Sequence, residues 1–153
     1  MPIDKSYNFK RVSDLVTTSG VVGAKRLREL HLEGYEVLIN LLPDESKYAV
    51  ENERQIVEEQ GIQYTHIPVD FQNPTVADYD QFVSALEEVK ERKVHIHCAA
   101  NYRVSVFYAL YAESHRLWSL SEAREFTQIL WQPQERQGWP EFIDKVRERD
   151  IGA

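Results

Sequence analysis

Cys98 is the only cysteine in the 153-residue chain, and Arg103 follows it in the run His97-Cys98-Ala99-Ala100-Asn101-Tyr102-Arg103-Val104-Ser105. A thiolate is a strong nucleophile, and a guanidinium offers a planar fork of donors that matches two oxygens of a phosphoryl or sulfuryl group. The run sits where the short β-branched stretch Val94-His95-Ile96 ends and a largely uncharged helical stretch begins. A strand that stops, a tight turn and a helix that starts leave several backbone N–H groups unpaired and aimed at one spot. The helix dipole makes that spot favourable for anions. A thiol there is expected to ionise more readily than a free one, since the helix start and the guanidinium both favour its charge. The plainer alternative is an inert cysteine at a strand end and a solvated first-turn arginine. The joint pattern of strand, His-Cys, turn, Arg and apolar helix favours chemistry.

His97-Cys98 followed by Arg103 resembles the signature loop of the cysteine-dependent protein phosphatases. Thr18-Ser19-Gly20, Val37-Leu38-Ile39-Asn40-Leu41-Leu42-Pro43-Asp44-Glu45, Gly61-Ile62-Gln63-Tyr64 and His66-Ile67-Pro68-Val69 extend the likeness. They resemble one branch of that superfamily, the bacterial phosphatases related to the beta-lactamase-hydrolase-like proteins, and the resemblance covers roughly residues 8 to 118. Two departures stand out. The usual phosphatase loop has five residues between Cys and Arg and a central glycine, whereas this one has four and carries Asn101 where glycine is expected. Asparagine tolerates left-handed backbone better than most residues. The hydroxyl that usually follows the arginine is displaced, with Val104 in its place and Ser105 one position later. A four-residue span also resembles the rhodanese-type sulfurtransferases, which keeps a Cys98 persulfide as a rival chemistry.

The resemblance implies a dual-specificity-phosphatase-like enzyme with no cofactor, hydrolysing a phosphomonoester through a phosphocysteine on Cys98. Cys98, Ala99, Ala100, Asn101, Tyr102 and Arg103 would form the phosphate-binding loop, holding the equatorial oxygens by amides and guanidinium. The implied partner is a phosphorylated protein or small molecule, with an oxyanion such as phosphate or sulfate in the loop. Related enzymes protonate the leaving group from an aspartate about thirty residues before the cysteine. Asp70 is the implied acid, on the loop that follows His66-Ile67-Pro68-Val69; a turn-forming aspartate is the alternative. The acid tends to fall one residue later in such enzymes, where this chain has Phe71, and Asp78 and Asp44 are weaker candidates. His97 is implied to orient the loop. Ser105 could donate to the departing thiolate or bond the backbone of its own turn. A third reading is a phosphate-binding module whose catalysis has decayed. No metal is expected: His95, His97 and Cys98 lack an acidic or cysteine cluster at ligand spacing. The segment Trp131 to Trp139 could wall a substrate pocket, though a packing corner between helices is favoured.

The whole chain narrows the classes. With 18 Lys and Arg against 25 Asp and Glu, the formal charge of −7 argues against a nucleic-acid groove or an anionic membrane surface as main partner. Any positive potential must be local, which suits a small anionic pocket. One cysteine excludes an intramolecular disulfide, and no stretch approaches the apolar length of a membrane span. Met1-Pro2-Ile3-Asp4-Lys5 lacks the features of a signal peptide, so a reducing cytoplasm is the expected location. The length suits one domain over residues 1 to 153.

The elements that must position the loop follow from periodicity. Tyr7 to Ser19 reads as one or two short edge strands, and Val22 to Leu32 as a first helix stopped by Gly34. Glu36 to Leu42 is a nearly unbroken apolar run, the mark of a strand covered on both faces. Tyr48 to Gln60 reads as a charge-rich helix with Val50, Ile56 and Val57 inward, and Gln63 to Val69 as the next strand. Thr75 with Asp78 predicts a capping box for a helix that buries Phe82, Leu86 and Val89. After the strand Val94 to His97, a helix is predicted from Tyr102 to about Leu117, apolar nearly all round in its first half. Ser119 with Glu122 caps another helix to about Leu130, and Pro140 opens a last one to about Arg149. The expected fold is α/β, a three-layer sandwich. Its central, mainly parallel sheet of four or five strands is flanked by helices, with the loop at a strand's carboxyl edge.

Overall fold

A computed structural model describes residues 2 to 152. The strands are β1 (Lys10–Arg11), β2 (Val16–Ser19), β3 (Val37–Asn40), β4 (Gln63–His66) and β5 (Val94–His97). The helices are α1 (Ala24–Leu27), α2 (Glu53–Glu58), α3 (Val76–Glu88), α4 (Tyr102–Ser114), α5 (Leu120–Leu130) and α6 (Trp139–Asp150), with 3-10 turns at Ile3–Lys5, Leu30–Glu33 and Pro133–Glu135. The sheet runs in the order β1-β2-β5-β3-β4. Only β1 is antiparallel to its neighbour; β5 lies between β2 and β3, parallel to both. Ser19, His97 and Asn40 therefore stand side by side at the carboxyl edge, with His66 beside Asn40.

Strand alternation divides the molecule into layers. Val37, Ile39 and Leu41, with Val94, Ile96 and Cys98, face a core shared with α3, α4 and α6, whose largest members include Phe82, Phe107 and Trp139. Leu38 and Tyr64 face the opposite, smaller core with Leu27, Leu30, Tyr35 and Val57. His95 and His97 belong to this second face because they alternate with Ile96 and Cys98. Helix α4 is enclosed from Val104 to Ala112, every residue there being buried, so the loop is joined to a helix held by packing on all sides from its third residue onward.

The expected three-layer architecture is present, with differences at element ends. The first helix is split, because Glu29 at φ −110° and ψ 7° leaves helical space and Leu30–Glu33 tightens to a 3-10 turn. Leu27 at the end of α1 and Leu30 at the start of the turn are both fully buried, so the split keeps both leucines in the core. The predicted helix Tyr48 to Gln60 shrinks to Glu53–Glu58 because Asn52 adopts φ 60°, a left-handed conformation that a continuing helix excludes. Thr75 accepts from the Asp78 N–H at 3.1 Å, which is one half of a capping box. Ser119 and Glu122 complete both halves. Helix α4 stops at Ser114, short of Leu117, where Arg116 takes φ 61°.

Candidate active site

The loop after β5 is tied from outside by its carbonyls. The Cys98 carbonyl accepts from His97 Nδ1 at 3.2 Å, that of Ala99 from the Val21 N–H at 2.9 Å, and that of Ala100 from Asn8 Nδ2 at 2.9 Å. In a trans peptide the C=O and the following N–H point in opposite directions. Three successive carbonyls turned toward the scaffold therefore aim the amides of Ala99, Ala100 and Asn101 to the opposite side. Apart from the β-bridge that pairs Ala100 with Gly20, no short hydrogen bond is donated by the backbone N–H groups of residues 99 to 104 among the described residues; the helix ladder begins with Ser105 N–H on the Asn101 carbonyl at 3.0 Å. A row of unpaired donors at a helix start is an anion cradle.

Asn101 makes the turn possible. It sits at φ 68° and ψ 10°, the left-handed conformation glycine would otherwise supply. Its amide donates to the Asn8 carbonyl at 2.8 Å and to Thr18 Oγ1 at 3.0 Å. With the return bond from Asn8 Nδ2 to Ala100 O, the two asparagines form a reciprocal clasp between the N-terminal segment and the loop. Gly20 is pressed against the same loop through a bridge to Ala100, and a Cβ there would stand 2.4 Å from the Ala99 carbonyl oxygen.

Cys98 is fully buried below the loop, its N–H donating to the Ser19 carbonyl at 3.3 Å. Arg103 lies in the first turn of α4, with its guanidinium carbon 5.3 Å from the centre of the Phe71 ring and its buried Nε without a hydrogen-bond partner. An orphaned buried guanidinium donor is costly unless an acceptor arrives. Phe71 also contacts Tyr102, Trp131 and Trp139, and Tyr102 stacks on Trp131 at 4.8 Å and 6°. The two tryptophans buttress the site: Trp131 Nε1 donates to Ser105 Oγ at 2.9 Å and Trp139 Nε1 to the Phe71 carbonyl at 2.8 Å. Ser105 gives its own proton to the Tyr102 carbonyl at 2.7 Å, the backbone bond that was the alternative to a thiolate contact.

Asp70 is exposed on the loop that carries Phe71, at the same sheet edge as Cys98. Its Oδ1 accepts from the Gln72 N–H at 2.9 Å and its carbonyl from the Asn73 N–H at 3.0 Å, so it builds a turn there. Asp44 is also exposed, and the Asp78 N–H is engaged in the cap of α3. Among the described residues, no three His, Cys, Asp or Glu side chains gather at metal-binding spacing. No described helix is long and apolar enough to cross a membrane.

Sequence reasoning named His97 as a residue that orients the loop but missed the partners that hold it. His97 Nε2 lies 2.7 Å from Glu53 Oε2, and both side chains are buried. Tyr64 OH donates to the same carboxylate oxygen at 3.1 Å and Asn40 Nδ2 donates to that hydroxyl at 3.0 Å. Burial alone would push His97 below its ordinary value. The Glu53 charge, the hydrogen bond to Glu53 and the bond to the Cys98 carbonyl outweigh burial and hold it above. His95 has no such counter-charge, so burial first and the neighbouring His97 second hold it well below 6.5. Its two ring nitrogens meet Thr17 Oγ1 and Ser19 Oγ, each at 2.8 Å. Because Ser19 Oγ donates to the Gly20 carbonyl, His95 Nε2 carries the proton and Nδ1 accepts from Thr17. Glu53 also lines a recess of about 420 Å³ with Asn40, Asp44, Tyr64 and His66.

No family model matches the sequence, and no curated protein does. Solved structures do. A DUF442 protein from Shewanella putrefaciens CN-32, whose phosphatase name is provisional, is similar with a TM-score of 0.84 at 29% identity, over 97% of this chain and 96% of its own. Tk-PTP in its active form gives a TM-score of 0.74 at 24% identity, over 93% of this chain and 97% of its own. The core catalytic domain of the PP-IP phosphatase SIW14 from S. cerevisiae, in complex with citrate, gives 0.74 at 18% identity over 99% and 91%. At those two lower identities the likeness is one of fold.

Proposed function

From the premise that the chain belongs by its fold to the cysteine-dependent phosphatase superfamily, we propose that it hydrolyses a phosphomonoester through a phosphocysteine on Cys98. The observation that carries this reading is the orientation of the loop. Three carbonyls are tied outward so that the amides sharing their peptides face the other way, Arg103 Nε in the adjoining helical turn is buried without a partner, and the Cys98 thiol is buried at the start of the same loop. Donors fixed before substrate arrives stabilise developing negative charge without reorganising at the moment of reaction.

The Cys98 thiolate attacks phosphorus, the S–P bond forms, and the bond from phosphorus to the ester oxygen breaks. The departing oxygen takes a proton from the Asp70 carboxyl, which stands on the loop that also brings Phe71 against Arg103. Water then attacks the phosphocysteine, gives its proton to the Asp70 carboxylate, and the S–P bond breaks to return the thiolate. The loop amides and Arg103 hold the equatorial oxygens through both steps.

A generic aryl phosphate, vanadate, and thiosulfate with cyanide form the test. Aryl phosphate turnover that vanadate blocks and Cys98→Ser abolishes, with oxyanion binding retained, supports the proposal. Full turnover in Cys98→Ser refutes the mechanism. Thiocyanate release instead would assign a persulfide on Cys98, for which the four-residue span between Cys98 and Arg103 is the favouring feature. Oxyanion binding with no turnover at all would mark a binding module. Asp70→Asn is expected to cut turnover and remove the limb of the pH profile that requires a protonated acid; unchanged turnover removes Asp70 from the mechanism.

A further inference from the structure

We infer that Glu53 is a positioning residue for the reaction, acting through His97 to fix the first peptide of the loop and to keep a positive charge beside the Cys98 thiolate. The inference rests on the phosphatase reading of that loop. Glu53 lies on α2, 44 residues before His97 and on the opposite face of the sheet from the Cys98 side chain. It is 6% exposed, and its Oε2 accepts both the 2.7 Å contact from His97 and the 3.1 Å bond from Tyr64.

The proton inventory follows from the partners. A carbonyl can only accept, so His97 Nδ1, at 3.2 Å from the Cys98 oxygen, carries a proton. The Tyr64 hydroxyl gives its proton to Glu53 Oε2 and accepts from Asn40. At 2.7 Å from Glu53 Oε2, His97 Nε2 is favoured to carry the second proton by the Glu53 charge and the bonds at both ring nitrogens, which makes the ring an imidazolium. A buried cation of this kind persists only with its counter-charge. Two consequences reach the nucleophile. The Cys98 carbonyl and the Ala99 N–H share one peptide plane, so the His97 bond that holds the carbonyl outward also aims the first amide of the cradle. The imidazolium, on the residue adjoining the thiol, favours the thiolate over the thiol.

The charged and titratable groups around the pair are few. On β5 they are His95, neutral and two residues away, and Cys98; on β4 they are Tyr64 and His66, the latter bonded to the Leu42 carbonyl at 2.6 Å. On α2 Arg54 lies over the Tyr64 ring at 4.9 Å, and Asp44 and Glu51 line the recess that Glu53 borders. Of these, the Glu53 carboxylate is the anion in direct contact with His97.

Glu53→Gln separates charge from shape. Glutamine can accept from Tyr64 and donate to Nε2 of a neutral His97, so the network survives while the ring loses its second proton. The readout is the ultraviolet absorbance of the thiolate, titrated against pH with Cys98→Ser as blank. It needs no turnover: an inactive wild type would sink the phosphatase reading and leave this titration to judge Glu53 alone. In Glu53→Gln the midpoint is expected to rise by about one unit. kcat/KM is expected to fall about tenfold on the acid side and to recover as pH rises, with thermal stability close to wild type. Glu53→Asp, which keeps a carboxylate, is expected to titrate nearer to wild type than Glu53→Gln. An unchanged midpoint in Glu53→Gln overturns the inference, as does a shift in Glu53→Asp as large as that in Glu53→Gln. Nitrogen NMR of wild-type His97 tests it without any variant: two protonated ring nitrogens at neutral pH are expected, and a neutral ring overturns it.

Discussion

Gly20→Ala is the most direct perturbation of the cradle that leaves every reacting group in place. The new Cβ would stand 2.4 Å from the Ala99 carbonyl oxygen, 2.9 Å from Ala100 Cα and 3.0 Å from the Ala99 carbonyl carbon, all of them backbone atoms of the loop. Ordinary contact begins at 3.4 Å, so the loop or the end of β2 must give by about 1 Å. Relief by rotamer change is closed because no flexible side chain lies among those three atoms. The displacement strains the Val21 N–H bond to Ala99 O and re-aims the amide that follows it. Misplacement of about 1 Å at a reacting centre costs on the order of 100-fold in rate, and overpacking costs about 1–3 kcal/mol of stability. Gly61→Ala is the control: Gly61 adopts φ 78° with nothing within 4 Å of an added Cβ. That variant is expected to lose about 1–2 kcal/mol through backbone strain alone. Steady-state hydrolysis of an aryl phosphate and urea unfolding of both variants make the comparison. The expected result is similar destabilisation, with kcat reduced about 100-fold in Gly20→Ala and unchanged in Gly61→Ala. A Gly20→Ala enzyme retaining half of wild-type kcat would refute the claim that the loop is held rigidly against β2.

Two further predictions concern the scaffold. Asn101→Gly keeps the left-handed turn but loses the bonds to Asn8 and Thr18, about 1 kcal/mol each, whereas Asn101→Ala adds backbone strain of about 1–2 kcal/mol. Urea unfolding should rank wild type above Asn101→Gly and that above Asn101→Ala; the reverse order of the two variants would contradict the role of the φ 68° conformation. His95, held neutral well below 6.5, has its folded-state value depressed, so the unfolded chain takes up a proton first as pH falls. Its contribution to stability is present above 6.5 and is lost progressively below it. Unfolding measured across that range should show this decline in wild type and a shallower one in His95→Gln; identical slopes would assign the decline elsewhere.

The loop and its frame were legible in the sequence because their signals are local. An apolar run, a His-Cys pair and an enclosed helix occupy adjacent positions, and Asn101 is one of the few residues that can stand in for glycine at positive φ. The alternation of that strand in the structure sets Val94, Ile96 and Cys98 on one face. Glu53 was invisible for the opposite reason. It sits among Glu51, Arg54, Glu58 and Glu59 in a stretch that reads as solvated, and only the distant register of β5 brings His97 to it. The shortened α2 has the same cause, since Asn52 breaks the helical phase immediately before the buried glutamate. Phe71 was noted as the residue at the usual acid position. Its actual contacts, to the Arg103 guanidinium and to Tyr102, Trp131 and Trp139, depend on four separate segments meeting.

The alternation of β5 also constrains how this chain can change. Thiol and imidazole occupy consecutive positions and therefore opposite sides of one ribbon, each answering to a different helical layer. A single-residue insertion or deletion between Val94 and Cys98 would exchange the two sides, presenting a ring where sulfur belongs and sulfur where a carboxylate waits. A side-chain replacement within that short ribbon alters one side at a time, whereas a change in its length exchanges both.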